Sequence, residues 1–161
     1  MDILKSASTL IEEYPDFIPI VGVAIDIFLT VLGAGNLFLI EKYEQHSWFV
    51  YCAHFHDVYI FTAGTLFMFI LCIVFFSALW RCSNEYGLKR EYLAVAISAL
   101  LTHIYGATTW FNNNILDMTL GYAYERYMYT HIGSEITKIL VCILIVLIIV
   151  NAYNRRKNEW L

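Results

Sequence analysis

Charge is scarce in this sequence. Only 15% of the 161 residues are Asp, Glu, Lys or Arg, while 60% are hydrophobic and 17% aromatic. A soluble domain carries about 25% charge, and a chain this short has too much surface for its volume to hide such an apolar excess. The excess must face lipid, other chains, or both. No basic stripe exists and the net charge is −4, which argues against a nucleic-acid partner. The four cysteines, Cys52, Cys72, Cys82 and Cys142, are scattered with no C-x-x-C pair. That spacing excludes a zinc finger and gives no sign of a disulfide framework. There is no Asn-x-Ser/Thr site, phosphate loop, nucleophile elbow or H-E-x-x-H motif. The first 17 residues hold one lysine and four acids, the reverse of a cleavable leader. The first apolar run is therefore expected to stay as an anchor.

What is plentiful is apolar sequence in long runs. A helix needs roughly 20 apolar residues to cross the bilayer, and four runs reach that length, at 18–40, 58–80, 92–111 and 133–153. They are too continuous for alternating barrel strands. The expected fold is all-α, a polytopic four-helix membrane bundle forming one domain over 1–161. Residues 1–16 mix Ile3, Leu4, Leu10 and Ile11 with Lys5, Glu12 and Glu13, and read as a short interfacial helix. Pro15 and Pro19 mark the entry to the first run.

Orientation follows the basic residues of the short connections. Arg81, Lys89 and Arg90 lie between the second and third runs, and Arg155, Arg156 and Lys157 in the tail. The other two connections hold only Lys42 and Arg126. Both termini are thus expected on the cytoplasmic side. Trp48, Trp80, Trp110 and Trp160 fall near the run borders, where amphipathic rings are favoured. The outer connections, 41–57 and 112–132, are aromatic enough to read as short helices at the interface.

Ionisable groups within such runs are costly and usually have a task. Asp26 and His103 lie about 12 Å and 16 Å from the inner border, counting 1.5 Å per residue. They are therefore candidates for a buried polar pair; hydroxyls such as Thr30, Thr102 and Thr108 are the alternative partners. A second group, His54, His56, Asp57, His131 and Glu135, sits at the outer border. Imidazole and carboxylate are ligands for zinc, copper or iron, so these are the candidate metal residues. On a helix, however, His54 and His56 would diverge by about 200°. Gly33, Gly35, Gly64 and Gly106 are candidates for close helix packing.

Three stretches carry a family resemblance. Ile25-Asp26-Ile27-Phe28-Leu29-Thr30 followed by Gly35 resembles the first motif of the emopamil-binding and sigma-two receptor (EXPERA) family. Asp57 to Gly64 and His103-Ile104-Tyr105-Gly106 lie at similar places. The resemblance covers residues 22–110 and implies a four-span core with cytoplasmic termini. The chain departs from the family at its chemistry. Thr30 and Ala34 stand where the family has histidine and glutamate, Gly64 stands at its second-span glutamate, and the fourth run lacks its polar and proline positions. Isomerase chemistry, which needs a positioned acid and base, is then not implied, while lipid or sterol binding is. The leading expectation from the sequence is a non-catalytic structural or accessory subunit of a larger membrane complex, with lipids and other subunits as partners. A lipid- or sterol-binding protein of the resembling type is the alternative. A metal- or haem-binding redox protein is the third reading, and the sequence names no cofactor.

Overall fold

The computed structural model describes residues 13–44, 47–115 and 121–159. The expected interfacial helix of residues 1–16 therefore lies almost wholly outside the described residues. All the described elements are helices, with no strand among the described residues. They are α1 (Phe17–Ala34), α2 (Leu37–Tyr43), α3 (Ser47–His54), α4 (Val58–Glu85), α5 (Lys89–Ile115) and α6 (Gly121–Glu159). Among the described residues, two stretches are long and apolar enough to cross a membrane, Val58–Glu85 and His131–Arg156. Only 11% and 6% of their most apolar windows are buried, unlike the core helix of a soluble protein.

The first apolar run is not one helix. Gly35 ends α1 in the left-handed region at φ 68°, and its N–H donates to the Val31 carbonyl. Asn36 follows in extended backbone and accepts from the Leu39 N–H at 3.0 Å, opening α2. A glycine C-cap followed directly by an asparagine N-cap breaks a helix however apolar its flanks. The start of α1 is held differently. Asp16 makes no side-chain cap; its carboxylate accepts from the Ser77 hydroxyl at 2.8 Å, joining α1 to α4.

Connection 41–57 contains a short helix, α3. The 112–132 stretch differs from expectation. Residues 112–115 continue α5 and 121–132 already belong to α6, so the described part of it forms no separate helix. The α4–α5 turn is a Schellman motif. Leu88 N–H donates to Ser83 and Gly87 N–H to Asn84, with Gly87 at φ 74°, which satisfies the last carbonyls of α4.

Helix α5 is the hub, packed along α1 on one side and α6 on the other. Its buried residues toward them are small, with Ala96, Ala99 and Ala107 all enclosed. At its start Tyr92 is fully buried, donates to the Phe76 carbonyl at 3.3 Å, and lies against Trp80. Phe76, Leu79, Leu88, Val95 and Leu144 complete this core where α4, α5 and α6 meet. A second core, of Ala34, Ile40, Phe49, Cys52, Ala53 and Phe61, gathers the end of α1, α2, α3 and the start of α4.

Candidate functional site

The polar pair is built on close helix contact. A Cβ at Gly22 of α1 would lie 3.0 Å from the Leu100 Cα and 3.4 Å from the His103 Cβ. Only glycine lets the two backbones approach so closely. One turn on from Gly22, Asp26 reaches across, and its Oδ2 lies 2.8 Å from His103 Nδ1. An ionised carboxylate can only accept, so His103 then donates from Nδ1. The side chains keep 24% and 29% of their surface exposed. Of the alternative partners, Thr102 and Thr108 instead bond the Ser98 and Tyr105 carbonyls, and Thr30 is buried in α1. The pair can share a proton and fix the register of α1 on α5.

The candidate metal residues are not brought into one site. His54 Nδ1 lies 2.7 Å from one oxygen of Glu41, and His56 Nε2 lies 3.2 Å from the other. Asp57 accepts from the Tyr59 and Ile60 N–H groups, capping α4. On α6, Glu135 pairs with Lys138 at 2.6 Å. Among the described residues no three His, Cys, Asp or Glu side chains are grouped so as to hold a metal ion. Border position in the sequence did not translate into one site, because His54, His56 and Asp57 lie at the α3–α4 corner while His131 and Glu135 belong to α6. Glu41, which sequence reasoning did not select for this role, instead ties α2 to the end of α3. His56 is held at φ 50°, a region that few side chains adopt, and stacks on Phe38.

The glycines also divide. Gly64 packs against α3, where any Cβ would collide with the Cys52 sulfur, and its carbonyl accepts from Trp48 Nε1 at 3.0 Å. Burial raises the Cys52 thiol pKa. A Cβ added at Gly35 would meet nothing within 4 Å, so its role is the left-handed cap rather than packing. Gly106 is half-buried in α5. Gly33 lies in α1, with its surroundings outside the described residues. The close contacts that sequence reasoning missed are Gly22 and Gly133. A Cβ at Gly133 would lie 3.0 Å from the Thr102 hydroxyl, beside a chain of hydroxyl bonds from Ser98 to Thr137. The signal was present as Gly22-x-x-x-Asp26, Ser98-x-x-x-Thr102 and Gly133-x-x-x-Thr137, small and polar residues repeating one turn apart.

Between α1, α2 and the start of α4 lies a cleft of about 880 Å³. Ile27 and Val31 form one wall, Phe61 and Leu66 the other, and Asn36 and His56 lie at the end where α4 begins. Thr65 also lines it. It is 8% exposed, and its hydroxyl has no hydrogen-bond partner. Comparison with known proteins adds no neighbour, since no family model, curated protein or solved structure matches the chain.

Proposed function

We propose that the chain is a multi-pass integral membrane protein that crosses the bilayer four times, with both termini on the cytoplasmic side. It works by holding a lipophilic molecule rather than by catalysis. Four features support the membrane reading. The apolar faces of α4 and α6 are almost wholly unburied. Helix α1, at 18 residues, spans about 27 Å, close to the hydrocarbon thickness. The polar side chains of α5 are met by α1 and α6. Basic residues gather in the second connection and the tail. Labelling single cysteines in a cysteine-free background tests the topology. Positions 86 and 158 should report one side and 45 and 114 the other; shared accessibility of 86 and 114 would sink it.

The cleft carries the binding reading. Its volume is that of a ligand pocket, about 300–1,000 Å³, its walls are apolar, and the polar groups near it are few. Lipophile binding is also what the resemblance of residues 22–110 implies. The accessory-subunit reading is kept second, on one observation. Tyr51, Phe55 and Tyr59 are exposed together near the α3–α4 corner, Tyr59 by 86%, and aromatics are enriched at interfaces between proteins. The closely packed glycines do not favour it, because Gly22, Gly64 and Gly133 are spent on contacts within the chain. Native mass spectrometry after gentle extraction separates the two. A monomer retaining lipid supports the cleft reading; fixed stoichiometry with other chains and no retained lipid supports the subunit.

A further inference from the structure

The four apolar runs hold three side chains of Asp, Glu, Lys or Arg, namely Asp26, Glu135 and Lys138. Asp26 is turned into the bundle, onto His103. Glu135 and Lys138 are turned out of it. The opposite face of α6 packs inward, with Thr137 bonded to Ser98 and Leu144 in the core. Glu135 and Lys138 pair with each other at 2.6 Å, yet 47% and 66% of their side-chain surface lies outside the chain. Their level is deep. Thr137, between them, bonds Ser98 and Thr102, which lie about 9 and 15 Å into the third run, 92–111.

Charged groups in hydrocarbon almost always face a bundle interior. A carboxylate and an ammonium can each make several hydrogen bonds, and lipid chains offer none. Helix α4 makes the contrast. It is almost as bare as α6, but Val58 to Trp80 holds no charged side chain, as suits a helix covered by lipid alone.

The outward face of α6 also carries a repeat. Glu135, Lys138, Cys142, Ile145 and Ile149 follow one another at alternating three- and four-residue spacing, that of a left-handed helix pair. Cys142, Ile145 and Ile149 are all exposed. The charges are complementary to themselves. Copies of one chain cross the membrane in one orientation, so two α6 helices would meet in parallel about a two-fold axis. Glu135 of each copy then lies beside Lys138 of the other, in a closed ring of alternating charge.

We propose that α6 pairs with a second copy of this chain along Glu135, Lys138, Cys142, Ile145 and Ile149, which turns the outward charges into the interior of an interface. The proposal rests on the membrane topology above and not on the cleft, which no described residue of α6 lines. Lipid retained by such a dimer still supports the cleft reading.

The test is copper–phenanthroline oxidation of the full chain in membranes, with Cys52, Cys72 and Cys82 replaced by alanine. Cys142 should join two copies in a disulfide, which needs Cα atoms within about 7 Å. With Cys142→Ala added, Ile145→Cys and Ile149→Cys should do the same. Ile143→Cys and Val150→Cys, also exposed but off the repeat, should cross-link at least about tenfold less, because their side chains point away from the axis. Glu135→Lys or Lys138→Glu alone sets like charges together and should cut the Cys142 dimer by about tenfold or more. Co-expressing these two variants under different tags should restore a dimer between them, which pairing within one chain cannot do. Equal cross-linking on and off the repeat would mean random collision and overturn the proposal. So would a chain that stays monomeric, or links only to a different polypeptide, at every position. Failure of the mixed variants to recover the dimer, with both still resisting carbonate extraction, would overturn it too. A chain that carbonate washes off the membrane fails the topology, and the dimer with it.

Discussion

Adding one methyl group at position 64 tests the tightest contact in the fold. Gly64→Ala points its Cβ at the sulfur of Cys52, which is 3% exposed. The sulfur must turn aside within a filled core, and overpacking of this kind costs about 1–3 kcal/mol. Against this, alanine favours the α4 helix over glycine by about 0.8–1.0 kcal/mol. The single change is therefore expected to destabilise by about 0–2 kcal/mol, too ambiguous to read alone. Cys52→Ala removes the clash and leaves the two Cβ atoms 3.5 Å apart, an ordinary contact. In the double-mutant cycle the helix-propensity gain cancels and the clash remains. The coupling should be favourable by about 1–3 kcal/mol. Reversible unfolding in mixed micelles, followed by tryptophan fluorescence, reads it, and Trp48 reports locally because its indole bonds the Gly64 carbonyl. Additivity within about 0.5 kcal/mol, or a full propensity gain in Gly64→Ala alone, would refute the packing of α3 on α4 described here.

Asp26→Asn and His103→Gln should be coupled by about 1–2 kcal/mol in the same assay, near the upper end for side-chain hydrogen bonds within membranes; independent effects would mean that the pair does not hold α1 to α5. Gly35→Leu should cost about 1–2 kcal/mol through backbone strain alone, and Gly35→Asn less, because asparagine tolerates the left-handed region; an unchanged melting temperature in Gly35→Leu would refute the cap. With Cys72 and Cys142 replaced by alanine, iodoacetamide in detergent at pH 8 should alkylate Cys52 well after Cys82. Burial raises the Cys52 pKa, so less thiolate is present at a given pH, and its rate should keep climbing as the pH is raised above 8. Equal rates would contradict the burial of Cys52 under Gly64.

What could be read from the sequence was whatever depends on local runs and depth. Helices α4 and α6 stood out because their apolar residues are contiguous, and hydropathy is additive along a helix. The same averaging concealed the break at Gly35–Asn36, where two cap residues outweigh the apolar residues around them. Asp26 and His103 could be placed level by counting rise per residue, but their hydrogen bond depends on Gly22, whose importance comes only from Leu100 and His103 facing it. Glycine density pointed to Gly33 and Gly35, yet closeness of approach is a property of a helix pair, which is why Gly22 and Gly133 escaped notice. The outer histidines show the converse error. They share a border in the sequence, but His54 and His56 end on Glu41 while His131 belongs to α6. The cleft was beyond reach for a stronger reason, since its walls come from three elements and from the break that separates two of them. Thr65 reads in the sequence like Thr102 or Thr137, a helix hydroxyl free to bond the carbonyl one turn back. Its hydroxyl is instead enclosed with no bond inside the chain, a consequence of the packing around it that no local pattern signals.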